Sequence, residues 1–427
     1  MIDAKIEIAE NIFKNRDKLE KWYCDLAKKV RPPFYSSIDI RDASFKVAPV
    51  DANLYPAGFN NICTDDQKAA GPIFAENIKD LEMHLGISQI REILIIPEGN
   101  TKNVFYADNL YFLKSILESS GLRVNLGWYP IAGDETEVFN LATSFGETLF
   151  AEPISVKEGK ICTASSNPDL IVLNNDFSLG YPKLLDGVSQ PILPTHLLGW
   201  HSRRKSRHFG HYNRLAEEFS TLIGVDPFLL TVNTVEVESV NFDDATSREK
   251  MAAESEKMLT SIGEKYKSLG IDDQPAVFIK SNMGTYGMGI MTIRDPDEIR
   301  NANRRTKNKM SVGKNKIHIE SVVIQEGIPT HFKFDGISAE PVIYLSSHKL
   351  IGGFLRTNPE RSNMDNLNSK GMVFKKLCTS DLDKLLAPGS KASGEVGDRI
   401  LELTYGSIAR ISALAAGFEI LESTQQG

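Results

Sequence analysis

The sequence has little of what marks a membrane or nucleic-acid-binding protein. No apolar run approaches the ~20 residues needed to cross a bilayer, and the first residues carry no apolar signal core. Lysine and arginine (49) are outnumbered by aspartate and glutamate (56), so the net charge is −7. This balance argues against nucleic-acid binding through bulk charge. We therefore expect a cytoplasmic protein with no membrane and no nucleic-acid partner.

Cysteine is scarce and scattered. The four cysteines are Cys24, Cys63, Cys162 and Cys378, and no two of them form a C-x-x-C pair. In a cytoplasmic protein this spacing predicts reduced thiols, with neither a disulfide framework nor a zinc site.

The two commonest nucleotide-binding motifs are also missing. There is no G-K-[ST] of a Walker A loop, and no glycine fingerprint that opens a helix with an acidic partner. Instead, an apolar strand pattern ends at Lys280, passes through a loop with three glycines and resumes at Ile290. Glycines let backbone N–H groups approach phosphates, and a strand-borne lysine adds a positive charge. The alternative is a simple hairpin. The predicted ATP-binding residues here are Lys280, Gly284, Thr285, Tyr286, Gly287, Met288 and Gly289.

The order of predicted elements indicates an α/β fold. With 427 residues, 41% hydrophobic and 25% charged, the chain is long enough for two or three structural units. One helix is predicted over residues 3–30. A strand at 91–96, a helix at 103–120 and strands at 123–128 and 169–174 suggest a sheet of βαβ units. A helix of small and apolar residues at 395–416 closes the pattern.

A second apolar strand, 322–328, is a candidate hinge for adenine. It ends in Gln325 and Glu326, followed by Gly327 and Ile328. The backbone and carboxylate there are suited to the adenine edge and a ribose hydroxyl, although a buried strand ending at a turn has the same pattern. The predicted adenosine contacts are Gln325, Glu326 and Ile328.

Two early strands carry the candidate metal ligands. Asp39 and Arg41 alternate on one strand, and Asp51 and Asn53 alternate on the next. Residues two apart share a strand face, so a hairpin would bring two carboxylates, an amide and an arginine together. Oxygen ligands of this kind suit Mg²⁺. Polar edge strands facing water are the competing interpretation, and an alternative ligand set lies near the C-terminus: Glu340, Asp365, Asn366 and Asn368.

A basic cluster at 200–208 stands out in an acidic chain. Arg204, Lys205 and Ser206 are candidate contacts for substrate carboxylates or phosphates, and a solvated loop is the alternative. Asn100, after the strand at 91–96, either caps the following helix or contacts a ligand.

These motifs resemble the proteobacterial ATP-grasp-type glutamate–cysteine ligase family. The likeness includes Lys-Ser-Asn-Met-Gly-Thr-Tyr-Gly-Met-Gly-Ile at 280–290 and extends over nearly the whole chain. The other segments that carry it are 35–62, 199–209, 325–327, 339–342, 352–356 and 366–368. The resemblance implies an ATP-grasp fold and formation of γ-glutamylcysteine from glutamate, cysteine and ATP through an acyl phosphate. It also implies Mg²⁺, with two ions expected.

The early acidic residues are similar to those of a second group, the circularly permuted ATP-grasp enzymes such as glutathionylspermidine synthetase. There an Asp precedes a Glu-x-Asn strand, and both come before the glycine loop. Here Asp39 precedes Asp51-x-Asn53, so Asp51 stands where glutamate is usual and has a shorter reach. This resemblance implies a permuted fold with Asp39, Asp51 and Asn53 as metal ligands.

The resemblance also implies roles and boundaries. Lys280 would contact the phosphates, Arg41 the transferred phosphoryl group and Arg356 a carboxylate. We expect metal-binding strands in 1–90, a substrate-binding region in 91–199, the lid in 200–320 and the rest of the core in 321–427. The oligomeric state is open, with a homo-oligomer as one possibility. The alternatives are a ligase for another carboxylate and amine, or a non-catalytic nucleotide-binding protein.

Overall fold

The computed structural model describes residues 3–99, 103–129, 138–178, 180–283, 290–311, 319–378 and 399–425. Within them the helices are α1 (Ala4–Lys14), α2 (Arg16–Val30), α3 (Thr64–Leu85), α4 (Val104–Ser119), α5 (Lys205–Ile223), α6 (Ala245–Leu269), α7 (Asp297–Arg300), α8 (Arg304–Ser311) and α9 (Ile400–Gln425). None of these helices combines the length and apolar character that crossing a bilayer requires.

The strands form three main sheets and one short hairpin. They are β1 (Ser36–Asp42), β2 (Val47–Asn53), β3 (Glu92–Pro97), β4 (Arg123–Trp128), β5 (Phe139–Ala142), β6 (Thr148–Pro153), β7 (Ser155–Lys157), β8 (Lys160–Cys162), β9 (Leu170–Asn174), β10 (Ile192–Leu193), β11 (Thr234–Glu238), β12 (Val277–Ser281), β13 (Met291–Ile293), β14 (Ser321–Glu326), β15 (Lys333–Phe334), β16 (Ile337–Ser346), β17 (Lys349–Thr357) and β18 (Val373–Leu377).

The first sheet confirms the predicted α/β character. Its order is β10-β9-β3-β4-β6-β5, parallel except for the edge strand β5. The central strands β3 and β9 are almost wholly buried, which explains their unbroken apolar sequence. Both strands end at the same edge, where Asn174 and the residues after Pro97 face the large cavity described below.

The second sheet joins the two ends of the chain. It is antiparallel, in the order β18-β17-β16-β1-β2, with β15 paired to β16. Residues 36–53 thus lie beside residues 337–377. The third sheet, β11-β14-β12-β13, carries Lys280 on β12 and is covered by α6.

Helix α9 packs inside the molecule rather than on its surface. It contacts α1, α2, α5 and the strands β1, β2 and β16. From Thr404 to Gly417 its residues are mostly small or apolar on all sides, as expected of a buried helix segment. A Cβ on Gly417 would lie 2.8 Å from a methyl carbon of Val30, so the close approach of α9 to α2 requires glycine.

Two local features differ from the sequence-based expectations. The single helix expected over 3–30 is interrupted at Asn15. The backbone of Asn15 departs from helical geometry, and its side-chain amide donates to the carbonyl of Asn11. Helix α3 was not predicted, because Gly71 and Pro72 interrupt its pattern. A Cβ on Gly71 would overlap the Ser119 hydroxyl, so that glycine allows α3 to lie against α4.

The expectation that all cysteines are reduced thiols is wrong. Cys63 and Cys378 form a disulfide, although 315 residues separate them in the sequence. Cys63 precedes α3, and Cys378 follows β18, so the bond ties the edge of the antiparallel sheet to the start of that helix. Cys24 and Cys162 are free thiols. Spacing along the chain could not show this pairing, because the fold alone brings the two residues together.

Candidate active site

The two predicted metal-binding aspartates lie face to face. Asp39 on β1 is directly opposite Asp51 on β2, and Ser37 is opposite Asn53. Side chains at such positions lie ~5 Å apart on one sheet face. The hairpin predicted from the alternation of residues therefore forms, and its polar face turns toward a cavity rather than toward open solvent.

Each carboxylate is paired with a cation from elsewhere in the chain. Arg356 Nη1 donates to Asp39 Oδ2 at 2.6 Å, and Lys205 Nζ donates to Asp51 Oδ1 at 2.5 Å. Burial raises the pKa of Asp39 above its usual value, and Arg356 only partly offsets it. For Asp51, burial also acts to raise the pKa, but Lys205 and then Lys280 lower it overall. The pair thus has one carboxyl that protonates more readily than the other.

The residues fit a bound divalent cation. Among the described side chains, Asp39 Oδ1 is buried, lines the cavity and has no hydrogen-bond partner. It lies beside Asp51 and Asn53, whose oxygens are of the type that Mg²⁺ prefers. Within the described ranges, no group of three or more histidine, cysteine, aspartate or glutamate side chains is arranged as a metal cluster. An amide oxygen and phosphate oxygens would complete the coordination.

Three of the four residues in the alternative ligand set line the same cavity as the predicted set. Glu340 on β16 lines the same cavity as Asp39, and so do Asn366 and Asn368. Asp365 does not line it, because its carboxylate accepts from the backbone N–H and hydroxyl of Ser362. From the sequence the two sets are alternatives, because β1 and β16 lie far apart along the chain.

Arg41 is buried and fully engaged. Its guanidinium donates to Glu340 Oε1 at 2.7 Å and to the carbonyl oxygens of Ile328 and Asp365. Glu340 also lies 3.5 Å from Arg356. Arg41 still lines the cavity. Its hydrogen bonds hold Glu340 and the loop that carries Asn366 in position.

Lys280 projects from β12 into the cavity opposite the carboxylates. Its Nζ donates to Gln325 Oε1 at 2.6 Å and to the carbonyl of Val50 at 3.1 Å. Burial lowers the pKa of Lys280 to about 7, and Asp51 opposes that shift. A lysine held by neutral oxygens, to which no carboxylate of the described residues bonds directly, is well placed to receive an anion.

The hinge residues lie differently from the prediction. Gln325 orients Lys280. The Glu326 carboxylate is fully buried, forms an ion pair with Lys46 at 2.7 Å and accepts from the N–H of Asn233. It lies outside the cavity lining, and in this structure Lys46 occupies it, so the expected ribose contact stays a prediction. The side chain of Ile328 belongs to the hydrophobic core. Because Lys46 is buried, its charge requires a nearby carboxylate, and Glu326 provides it. The strand pattern of residues 322–328 could not reveal this pairing.

Most of the basic cluster is structural. Arg203 and His208 bind the buried carboxylate of Glu419 on α9, at 2.8 and 2.9 Å. Burial acts to raise the pKa of Glu419, but Arg203 and His208 lower it to about 2. Arg204 and Ser206, predicted to bind substrate, lie outside the cavity lining. The Ser206 hydroxyl donates to Glu236, and Arg204 donates to backbone carbonyls of the same loop. Lys205 alone among the three predicted contacts reaches the cavity.

Two sets of predicted residues lie outside the described part of the chain. They are the loop residues Gly284, Thr285, Tyr286, Gly287, Met288 and Gly289, and Asn100 near the α/β sheet. Their assignments remain predictions.

The cavity that unites these residues measures about 1120 Å³ and lies between the three sheets. Sequence reasoning missed a large part of its lining. Phe278, two residues before Lys280 on the same strand face, was available from the alternation rule. The other unpredicted lining residues include Asn61, Glu98, Asp108, Asn174, Asp176, Trp200, Ile290, Tyr344, Phe354 and Phe374.

Comparison with known proteins identifies the family of the chain. The family model GshA, glutamate–cysteine ligase, matches residues 9–420. A solved structure from Methylobacillus flagellatus KT, assigned as a gamma-glutamylcysteine synthetase, is 33% identical with a TM-score of 0.85. The match covers 98% of this chain and 96% of that one.

More distant similarity adds no argument. A glutathione synthetase-like effector from Globodera pallida is 9% identical with a TM-score of 0.39, over 87% of this chain and 83% of that one. No curated protein sequence matches the chain. The family match spans almost the whole sequence, and the chain belongs to the glutamate–cysteine ligase family GshA.

Proposed function

We propose that the cavity joins the γ-carboxylate of glutamate to the amine of cysteine at the expense of ATP. The observation that carries this assignment is the convergence on one cavity of Lys280 from one sheet and Asp39, Asp51 and Glu340 from another. Phosphoryl transfer needs charge neutralisation and alignment more than covalent help from the protein. The family membership supplies the substrates.

The reaction proceeds in two steps. The γ-carboxylate attacks the γ-phosphorus of ATP, the bond to the bridging oxygen breaks, and ADP leaves. The amine of cysteine then attacks the carbonyl carbon of the acyl phosphate, inorganic phosphate leaves, and the amine loses a proton. Walls that exclude water protect the acyl phosphate from hydrolysis.

Lys280 contacts the phosphates, and Gln325 holds it in place. Phe278 and Ile290 offer an apolar surface for the base next to Lys280. Asp39, Asp51 and Asn53 would hold Mg²⁺, and Glu340 would complete the acidic side of the site. When bound, Mg²⁺ neutralises phosphate charge. We propose two Mg²⁺ ions, the number that the resemblance to ATP-grasp-type glutamate–cysteine ligases implies.

Binding of Mg-ATP would rearrange two ion pairs. Arg356 and Lys205 occupy the carboxylates that the metal needs. If Asp39 and Asp51 held the metal, Arg356 and Lys205 would be free to contact phosphate and the substrate carboxylate. The order of metal strands before the lysine strand is consistent with a circularly permuted ATP-grasp fold, and a cytoplasmic location remains our expectation.

The test is ADP release by the purified protein with Mg-ATP and glutamate, with and without cysteine, and identification of the product by mass. We expect cysteine-dependent ADP release and γ-glutamylcysteine. Release that ignores cysteine, or a product from another amine, would overturn the substrate assignment.

A further inference from the structure

The cavity floor changes from charged to aromatic across the antiparallel sheet. Asp51 is directly opposite Asp39, and Glu340 is directly opposite Arg356; Glu340 lies two residues along β16 from Val342, the residue opposite Asp39. On the cavity side of the sheet the strands thus contribute, in order, Asp51, Asp39, Glu340, Arg356 and Phe374. The first four surround the proposed phosphoryl-transfer centre. Beyond Arg356 the cavity lining becomes aromatic, because Phe374 stands directly opposite Arg356 on the edge strand β18. Lys376, opposite Phe354 on the same strand, is exposed and does not line the cavity.

The aromatic end is a continuous wall. The ring centroids of Phe354 and Phe374 are 5.1 Å apart, and those of Tyr344 and Phe354 are 5.7 Å apart. The Tyr344 hydroxyl donates to the carbonyl of Ala57, so the polar end of that ring is already occupied. Gly58 packs closely against the wall. Its φ is +110°, and a Cβ there would lie 2.9 Å from the Tyr344 oxygen and 3.3 Å from the Phe354 ring, so this close packing requires glycine.

Tyr344 and Phe354 are almost completely buried, and the wall exposes apolar surface at its open edge. Met372, Val373 and Phe374 are 41%, 42% and 38% exposed, and Phe105 across the opening is 67% exposed. All four line the cavity. A cluster of exposed large apolar side chains at one cavity mouth indicates a binding surface. The Cys63–Cys378 disulfide, one residue after β18, fixes the position of this wall against α3.

Of the three reactants, ATP, glutamate and the amine-donating amino acid, only the last has a side chain suited to contact the aromatic wall. The base of ATP has its own apolar surface at Phe278 and Ile290, on the sheet that carries Lys280. Glutamate carries two carboxylates and an ammonium group, so it requires the polar part of the cavity. The amine-donating amino acid contributes a short side chain, and a thiol packs favourably against aromatic rings. Arg356 Nε, buried and without a partner among the described residues, lies beside the wall for that amino acid's carboxylate.

We propose that Tyr344, Phe354 and Phe374 form the side-chain site for the amine-donating amino acid and select a short, apolar side chain. This assignment rests on the proposed ligase function and specifies which part of the cavity takes the second amino acid. Phe374 is the specificity-determining residue, because it lies at the open edge and sets the depth of the site.

The test uses Phe374→Ala, a change on an exposed edge strand that preserves the core. Wild type and variant receive Mg-ATP, saturating glutamate, and cysteine, serine or norvaline as acceptor, and the γ-glutamyl products are measured by mass. One misplaced group in an apolar site changes selectivity ~10–200-fold. We expect wild type to prefer cysteine to both serine and norvaline. In Phe374→Ala the norvaline-to-cysteine ratio of kcat/KM should rise ~10-fold or more, with KM for glutamate and ATP unchanged within about twofold.

Two further variants separate selectivity from general damage. Phe374→Leu should recover most of the preference for cysteine. Phe150→Ala, an exposed phenylalanine on β6 outside the cavity lining, should behave as wild type. Unchanged acceptor selectivity in Phe374→Ala, or a rise in KM for glutamate instead, overturns the acceptor site while the ligase function stands. If wild type forms no γ-glutamyl product at all, the proposed function fails, and the acceptor site fails with it.

Discussion

Asp39 and Asp51 face each other across the β1–β2 ladder, and each holds a cation that a distant segment supplies. Arg356 comes from β17, and Lys205 begins α5. Two carboxylates this close would repel each other, so without metal the cations stabilise the charged pair. The two carboxylates are therefore held together before ligands bind, and on the proposed function a bound metal would replace the two cations.

Replacing Asp39 tests the metal assignment. We expect Asp39→Asn to raise the Mg²⁺ concentration for half-maximal turnover at least ~10-fold. Loss of a residue that only hydrogen-bonds a metal ligand typically lowers metal affinity by that factor, and loss of a direct ligand should lower it no less. The measurement is a Mg²⁺ titration of ADP release, with circular dichroism to verify the fold. Asp365→Asn is the matched control, since that carboxylate only caps a turn. If Glu340→Gln alone abolished turnover, Glu340 and not Asp39 would be the essential ligand.

The lowered pKa of Lys280 predicts pH-dependent ATP binding. The free site has a lysine pKa of about 7, whereas bound phosphate favours the protonated amine. ATP binding therefore takes up a proton above pH 7, and Kd should increase toward tenfold per pH unit over that range. Calorimetry at saturating Mg²⁺ in buffers of different ionisation enthalpy measures the uptake. In Lys280→Gln the uptake from this group should vanish; persistence at wild-type size would assign it elsewhere.

The Lys46–Glu326 pair predicts a large effect on stability. Both side chains are almost completely buried, so removing one leaves an uncompensated charge. Lys46→Met should lower the free energy of unfolding by about 3–5 kcal/mol, measured by urea denaturation. The double variant Lys46→Met/Glu326→Gln should be less destabilised than Lys46→Met alone. Additive losses would show that the two residues act independently.

The disulfide gives a fourth prediction. Without reductant, alkylation should label Cys24 but neither Cys63 nor Cys378. Because the bond closes a very long loop, Cys63→Ser should cost about 2–4 kcal/mol of unfolding free energy. Cys24→Ser, at an exposed thiol, is the control and should change little. Labelling of Cys378 in the untreated native protein would contradict the bond.

Local chemistry was predictable from the sequence, whereas long-range pairing was not. Alternation alone placed Asp39 with Arg41 and Asp51 with Asn53, and the lysine strand followed from its apolar run. The union of Asp39 with Glu340 depends on β1 pairing with β16, whose register arises from the whole core. The same limit explains why Glu326 was expected at the ribose. Its partner Lys46 lies in a different part of the chain, and burial of the pair is a property of the fold.

The sheet formed from both ends of the chain also has a consequence for synthesis. Strand β1 emerges early from the ribosome, but its partner β16 follows about 300 residues later. At 5–20 residues per second, the Asp39–Asp51 hairpin waits roughly 15–60 s for the strand that completes its sheet. Helix α9, which packs beneath both strands, follows later still. A nascent chain therefore acquires its catalytic centre only near the end of translation, and in the interval the unpaired edge of β1 is a surface for chaperones to shield.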